Sequence, residues 1–187
     1  FRRVLFRSVS GTSTVFRNHF FKYAESIIEK YKPSLNSYVL DIGSNDGTLL
    51  KFFKEFGYKV IGVDPAIEIS KKANKDGITT INNFFNFDTA EKIKQTYSKA
   101  SLITANNVFA HCDDLSGITD AIYNLLAPEG LFVFEVSYLV DVYQKTLFDT
   151  IYHEHLSYHA VTPLIEFFRK KGMELIDVYR INTHGGS

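Results

Sequence analysis

Apolar residues follow two different spacings along this chain, and the two spacings alternate. Short apolar runs, typical of strands buried on both faces, cover 38–42, 59–63, 79–81, 100–105, 131–136 and 173–181. Apolar residues at helical spacing predict helices over 16–31, 48–56, 66–75, 89–97, 115–126 and 162–171. This alternation predicts an α/β fold of the Rossmann-like kind, a mostly parallel sheet with helices on both faces.

The composition is that of an ordinary globular domain and argues against a membrane protein or a nucleic-acid-binding protein. Of the 187 residues, 45% are apolar and 22% are charged, and no apolar stretch approaches the length of a membrane span. The single cysteine, Cys112, has no internal partner, which favours a reducing compartment and predicts a cytoplasmic protein. The net charge of zero gives no indication of nucleic-acid binding.

Both ends of the chain have unusual sequences. Residues 1–8, Phe-Arg-Arg-Val-Leu-Phe-Arg-Ser, correspond to the translation of a widely used sequencing adapter, so we expect the native domain to cover 9–187. Without their three arginines the net charge becomes 18 − 21 = −3. The chain stops soon after the candidate strand 173–181, which predicts a fragment truncated before the last strand of the sheet.

A glycine-rich loop follows the first predicted strand and leads into a helix. Gly43, Asn45 and Gly47 lie in this loop, where glycines let the backbone approach a ligand and the helix offers free N–H groups. Asp64 ends the second strand, 21 residues after Gly43, where a carboxylate is placed to accept hydrogen bonds from ribose hydroxyls. Ligands bind beyond the carboxyl ends of parallel strands, so the sequence predicts a nucleotide site here.

The loop favours S-adenosylmethionine (SAM) over a dinucleotide. Its two glycines are four residues apart, which is not the G-x-G-x-x-G spacing, and Asp46 would repel a pyrophosphate. Asp41, just before the loop, suits a cationic group, and SAM carries an ammonium and a sulfonium but no phosphate. A nicotinamide dehydrogenase therefore ranks behind a SAM-dependent enzyme.

Three further positions follow strands at the same edge of the predicted sheet. Phe84, after the third strand, is placed to pack on an adenine ring, although an aromatic there also suits a core. Asn106 and Asn107 follow the fourth strand and are candidates for orienting cofactor or substrate, with His111 close behind. A polar turn and a helix start explain Asn106, Asn107 and His111 equally well.

The densest polar segment covers 148–159 and contains three histidines, two tyrosines and two acidic residues. It is not an H-E-x-x-H zinc motif, because Ser157 occupies the position of the second histidine, and we predict no metal site. Its place after the fifth strand, beside the cofactor edge, favours catalysis over a solvated loop.

This segment, with Val39–Asp46, Asn107–His111 and the terminal His-Gly-Gly-Ser, resembles the sugar-nucleotide C-methyltransferases. Members of that family methylate carbon 3 of deoxythymidine-diphosphate 4-keto-deoxysugars. The resemblance runs from about residue 10 to residue 187 and covers the central methyltransferase core. The N-terminal zinc-binding module and the C-terminal domain of the family have no counterpart here.

The resemblance implies roles for individual residues. His155 is the expected general base, Tyr152 the donor to the carbon-4 oxygen, and Glu154 the residue that orients His155. The residues expected to contact the substrate are His111, His153, His184, Gly185 and Gly186. The partner implied is a small sugar-nucleotide substrate, with no nucleic acid and no membrane.

Two alternatives stay open from the residues alone. An O- or N-methyltransferase would use the same cofactor half without proton removal from carbon. A nucleotide-binding module without catalysis would need neither His155 nor Tyr152.

Overall fold

The structure, a computed structural model, describes residues 14–148, 151 and 153–181. Among them, five parallel strands form one sheet in the order β3-β2-β1-β4-β5. The strands are β1 (Tyr38–Ile42), β2 (Lys59–Val63), β3 (Thr80–Ile81), β4 (Ala100–Asn106) and β5 (Leu126–Glu135). The strand order reverses between β1 and β4, which is where open parallel sheets bind ligands.

Helices cover both faces of the sheet, which confirms the predicted α/β fold. The described residues form α1 (Thr14–Tyr31), α2 (Thr48–Glu55), α3 (Ile67–Lys75), α4 (Phe87–Tyr97), α5 (Leu115–Leu125), α6 (Leu139–Gln144) and α7 (Val161–Lys170). Buried residues of α1, α2 and α3 pack in one cluster, and those of α4, α5 and α7 in another. A short 3₁₀ helix, Phe109–His111, follows β4. No helix in the described part of the chain has both the length and the apolar character that a membrane span requires.

The two central strands supply both cores through simple alternation. In β1, Leu40 and Ile42 face the α4–α5–α7 side, whereas Val39 faces the α1–α2–α3 side. In β4, Ile103 and Leu102 divide in the same way. Because successive side chains of a strand point to opposite faces, continuous apolar runs are required here.

The segment 173–181 is not a strand in the structure, so that prediction was wrong. Its exposure alternates, with Met173 and Leu175 half-buried, but it pairs with no strand among the described residues. Asp177 instead accepts a hydrogen bond from the Tyr31 hydroxyl on α1 at 2.8 Å, and Arg180 Nη1 lies 3.6 Å from Asp141 Oδ1 on α6. Period-two alternation reports a half-buried extended chain, and such a chain forms a strand only where a neighbour supplies hydrogen bonds.

Several element boundaries also differ from the prediction, and two of them have a local cause in the structure. β5 begins at Leu126 rather than at residue 131, because residues 128–130 are absorbed as an irregularity within the strand: two steps along β4, Ala100 to Leu102, match five along β5, Leu126 to Leu131. Helix α4 begins at Phe87 rather than Thr89, since the Asn86 side chain accepts a hydrogen bond from the Thr89 N–H at 2.9 Å and caps the helix.

Leu50→Ala tests the contribution of the α2 face. Leu50 is fully buried in the cluster under α1, so its truncation should lower the free energy of unfolding by about 2–5 kcal/mol. Leu35→Ala is the matched control, because Leu35 is 58% exposed and should change that free energy by less than about 0.5 kcal/mol. Urea unfolding followed by circular dichroism measures both. Equal effects would contradict this packing.

Candidate cofactor and substrate site

The glycine-rich loop folds across the end of β2. The N–H groups of Gly43 and Ser44 both donate to the Val63 carbonyl, at 2.8 and 3.2 Å. Gly43 has φ +70°, and a Cβ built on it would lie 2.7 Å from Val108 Cγ2. Gly47 has φ +74°, and a Cβ there would lie 2.9 Å from Ile78 Cγ2. Glycine is therefore required at both positions by backbone conformation and by space.

Asp46 faces its own helix. Its Oδ1 accepts hydrogen bonds from the Thr48 hydroxyl at 2.7 Å and the Thr48 N–H at 3.2 Å, and the residue is buried. A carboxylate is thus fixed at the positive end of α2, the place where a dinucleotide fold binds its pyrophosphate. The local charge disfavours a phosphate ligand, in line with the sequence-based argument.

Asp64 joins two ligand-edge loops. Its Oδ2 accepts the Asn45 N–H at 2.9 Å, and its Oδ1 accepts the Ala66 N–H at 2.8 Å. The Asp64 carbonyl also accepts a hydrogen bond from Asn82 Nδ2 at 3.0 Å. These bonds fix the carboxylate at the end of β2, and each of its oxygens has a second lone pair for a ligand hydroxyl.

Asp41 is a buried carboxylate at the end of β1. The Thr104 hydroxyl, on β4, donates to its Oδ1 at 2.7 Å. Burial raises the pKa of Asp41 to about 7, and the negative charge of Asp64 acts in the same direction, while the Thr104 bond opposes both. A cationic ligand beside Asp41 would stabilise its ionised form, so this position suits a positively charged group.

Several buried polar atoms near Asp41 lack a hydrogen-bond partner within the described part of the chain. They are the Tyr23 hydroxyl on α1, the Ser44 hydroxyl in the glycine loop, and both side-chain amide atoms of Asn106 at the end of β4. Buried polar atoms in native proteins are nearly always paired. Their grouping at the carboxyl edge of the sheet indicates a place where a polar ligand completes the structure.

Helix α1 reaches this edge through a His–Glu contact that the sequence analysis missed. His19 Nε2 lies 2.7 Å from Glu135 Oε2 at the end of β5, and Glu135 is buried. The Glu135 carbonyl accepts the N–H of Asn107, which has φ +55°. Two signals were present in the sequence: His19 and Tyr23 are four apart and share a helix face, and Glu135 ends an apolar run as Asp41 and Asp64 do.

The histidine-rich segment is attached to the residues that follow β4. The Ala110 carbonyl accepts the Leu156 N–H at 2.7 Å, and His111 Nδ1 lies 2.6 Å from the Glu154 carbonyl. The rings of His111 and His155 have centroids 5.1 Å apart, and the Tyr158 ring meets His155 edge-on at 5.9 Å. The structure therefore brings together His111 and His155, which the sequence analysis had selected separately.

His159 links the histidine-rich segment to the start of α6. It is buried, its Nε2 lies 3.2 Å from Ser157 Oγ, and its carbonyl accepts the Leu139 N–H at 2.8 Å. Burial lowers the pKa of His159, partly opposed by a backbone hydrogen bond with Phe109, so the ring is neutral at pH 7.

The other predicted site residues differ in their surroundings. Phe84 is 50% exposed after β3, and Asn107 and His153 are exposed. Glu154 is half-buried and contacts His111 through its backbone. Four predicted residues lie outside the described residues: Tyr152, His184, Gly185 and Gly186. Within 14–148, 151 and 153–181, no three His, Cys, Asp or Glu side chains are grouped so as to hold a metal ion.

Comparison with known proteins identifies the family. A family model described as a methyltransferase domain matches residues 16–178. The chain belongs to the methyltransferase domain family. It is 35% identical over 182 residues to the C-methyltransferase NovU of Streptomyces niveus, covering 97% of this chain and 43% of that protein. The chain thus spans less than half the length of this relative.

Solved methyltransferases share the fold. A SAM-dependent methyltransferase from Archaeoglobus fulgidus matches with a TM-score of 0.66 and 20% identity, over 83% of this chain and 68% of that chain. Magnesium protoporphyrin IX methyltransferase from Synechocystis, solved with bound SAH, matches with a TM-score of 0.67 and 13% identity, over 93% and 84%. These matches establish a Rossmann-like methyltransferase fold for the chain.

The residues at the sheet edge fit the SAM that this fold implies. Asp41 is a buried acceptor for positive charge, Asp64 has free lone pairs for hydroxyls, and Asp46 disfavours phosphate at α2. The unpaired atoms of Tyr23 and Asn106 require polar partners. A neutral, apolar ligand would leave the Tyr23 and Asn106 atoms unpaired and would place no positive charge beside Asp41.

Asp41→Asn should remove a specific pH dependence of stability. Because the folded-state pKa of Asp41, about 7, lies above its ordinary 3.8, the folded protein holds a proton that the unfolded chain releases as pH rises. That stabilisation is complete below about pH 4 and is lost as pH rises through 7, at roughly 1.4 kcal/mol per pH unit. In the ligand-free protein, the variant should gain free energy of unfolding relative to wild type over this range.

Urea unfolding from pH 5 to pH 8 measures this difference. Asp120→Asn is the matched control, because the Asp120 side chain is 51% exposed and the difference from wild type should stay nearly constant. A constant difference for Asp41→Asn as well would contradict the raised pKa.

Proposed function

We propose that this chain is the core of a SAM-dependent C-methyltransferase that methylates a carbon next to the ketone of a 4-keto-deoxysugar nucleotide. The methyltransferase family and the C-methyltransferase relative support the reaction class. The observation that carries the proposal further is the attachment of the His155 segment to Ala110 and His111, directly after the strand that holds Asn106. This attachment would hold His155, the proposed base, beside the cofactor edge.

The cofactor half divides into two ends. Asp64 would accept hydrogen bonds from the ribose hydroxyls, and exposed Phe84 would pack against the adenine. Asp41 and Asn106 would hold the amino-acid end. When bound, SAM supplies a methyl group made electrophilic by a positively charged sulfur.

The substrate half would generate a carbon nucleophile. A hydrogen on the carbon next to a ketone is acidified because the resulting anion delocalises onto the ketone oxygen. His155 would take this proton, a role worth about 10²–10⁴-fold in rate, and Tyr152 would donate a hydrogen bond to the developing oxyanion. The carbon then bonds to the methyl group as the carbon–sulfur bond breaks, and its electron pair stays on sulfur as S-adenosylhomocysteine (SAH) forms.

The residues next to His155 would position its ring. The His111 ring lies beside it, and the bond from His111 to the Glu154 carbonyl fixes the backbone that carries it. Glu154 would orient His155 or bind a sugar hydroxyl. His153, His184, Gly185 and Gly186 would contact the sugar or its phosphates; this assignment comes from the family resemblance alone.

His155→Gln separates proton removal from cofactor binding. With SAH bound and a 4-keto-deoxysugar nucleotide in D₂O, wild type should exchange the carbon-3 hydrogen, as followed by NMR. In the variant this exchange should be at least about 100-fold slower, because the base is gone. Its Kd for SAH should stay within about twofold of the wild-type value. Glu166→Gln, on the exposed face of α7, is the control.

This experiment uses the chain and, in parallel, the Streptomyces niveus relative with its matching segment replaced by this chain. Exchange that persists in His155→Gln would reject His155 as the base. Methyl transfer to oxygen or nitrogen, with no carbon-3 exchange in wild type, would establish the alternative O- or N-methyltransferase.

Asp64→Asn tests the cofactor itself by calorimetric titration. Wild type should bind SAH at micromolar Kd and should not bind NAD. The variant loses one strong acceptor for the ribose, so its SAH affinity should fall about tenfold or more. Asp76→Asn, an exposed aspartate after α3, should leave the affinity unchanged. Binding of NAD in place of SAH would overturn the cofactor assignment.

A further inference from the structure

Helix α1 places one tyrosine hydroxyl inside the sheet edge without a partner. The Tyr23 hydroxyl is fully buried and makes no hydrogen bond within the described residues. Tyr31, eight residues later on the same helix, donates to Asp177 at 2.8 Å, so the two tyrosines differ in this respect. Leaving a buried hydroxyl unpaired is unfavourable, and a bound polar group would recover that loss.

The charges around Tyr23 indicate which kind of polar group would bind to its hydroxyl. Burial raises the pKa of Tyr23 well above its ordinary value, the carboxylates of Glu135 and then Asp41 raise it further, and the Asn106 side chain acts in the opposite direction. Both charges are negative, and they act on the hydroxyl because they lie close to it. Both side-chain amide atoms of Asn106 are buried without a hydrogen-bond partner among the described residues, and the oxygen of this amide is a further acceptor. A site with these acceptors and this charge favours a cation that donates hydrogen bonds and disfavours a carboxylate.

His19 holds helix α1 over the edge of the sheet where the Tyr23 hydroxyl is buried. Its Nε2 lies 2.7 Å from Glu135 Oε2, a link across 116 residues of sequence, and its ring lies 6.2 Å from the Tyr23 ring. His19 is one helical turn before Tyr23, so the pair with Glu135 fixes the rotation of α1 at the position where Tyr23 enters.

We propose that Tyr23 binds the α-ammonium group of the cofactor together with Asn106 and Asp41, and that the His19–Glu135 pair is the positioning element that holds α1 for this contact. This inference rests on the proposed function, since it takes the cofactor to be SAM. An α-ammonium has three N–H donors, and the Tyr23, Asn106 and Asp41 oxygens are three acceptors on three different elements.

Tyr23→Phe tests the contact by removing one oxygen atom. Four ligands are titrated by calorimetry: SAH, its deaminated and decarboxylated analogues, and 5′-methylthioadenosine, which lacks the amino-acid end. The variant should bind SAH and the decarboxylated analogue about tenfold or more weakly, because a hydrogen bond to a charged group is lost. The other two ligands should bind within about twofold of wild type. Tyr31→Phe is the matched control and should change none of the four.

His19→Ala tests the positioning element. This variant should weaken binding of SAH and of the decarboxylated analogue but not of the other two ligands. His19→Gln, which retains a donor for Glu135, should restore most of the affinity. Circular dichroism melts confirm that each variant is folded. Because the analogues are also compared on wild type, the ammonium preference is measured without any variant.

The outcomes separate this inference from the proposed function. SAH binding to wild type that Tyr23→Phe leaves unchanged, or a loss shared equally by 5′-methylthioadenosine, would overturn the role of Tyr23 and leave SAM binding intact. Loss restricted to ligands that retain the carboxylate would overturn the ammonium assignment. Wild type that binds neither SAH nor 5′-methylthioadenosine would overturn both this inference and the proposed cofactor.

Discussion

The cofactor edge depends on the two backbone hydrogen bonds that the Asp64 carboxylate accepts. One comes from Asn45 in the glycine loop and the other from Ala66 before α3, so a single buried side chain fixes two loops at once. Asn45 has φ +52°, a conformation that an isolated loop would populate little and that this bond helps to hold. Substituting Asp64 therefore affects both ligand contact and loop shape, which is why an isosteric change is more informative than truncation.

The same edge concentrates the unfavourable electrostatics of the fold. Asp41, Asp46, Asp64 and Glu135 are all buried near the carboxyl ends of β1, β2 and β5. Asp46 is satisfied by Thr48 and Glu135 by His19, whereas Asp41 has one hydroxyl donor and a pKa raised to about 7. A cationic ligand would offset this excess of negative charge. Burying these carboxylates costs free energy of folding in the ligand-free protein. Such a cost is expected where ligand binding, rather than folding, determines which residues occupy the positions.

How far the sequence predicts this site depends on the sequence separation of its contacts. The glycine loop, Asp41 and Asp64 follow from strand ends and local spacing, and the structure places them at one edge as expected. The His19–Glu135 pair joins residues 116 apart, and no local pattern reports such a partner. Segment 173–181 shows the opposite difficulty: its alternation is genuine, but a strand also needs a neighbour to pair with, and it contacts helices instead. Roles for Tyr152 and His184 stay predictions.

Strand β4 connects the two halves of the proposed reaction. Asn106, at its end, presents unpaired amide atoms to the cofactor side, and four residues later the Ala110 carbonyl binds the histidine-rich segment. The intervening Asn107 is held by the Glu135 carbonyl, so the same acidic residue that pairs with α1 also fixes the turn between the two halves. Glu135 thus contacts α1 through its side chain and the turn before His111 through its carbonyl. In this arrangement, the elements proposed to hold the methyl donor and the base share one short, hydrogen-bonded stretch of chain, which would help to align a carbon nucleophile with a methyl group.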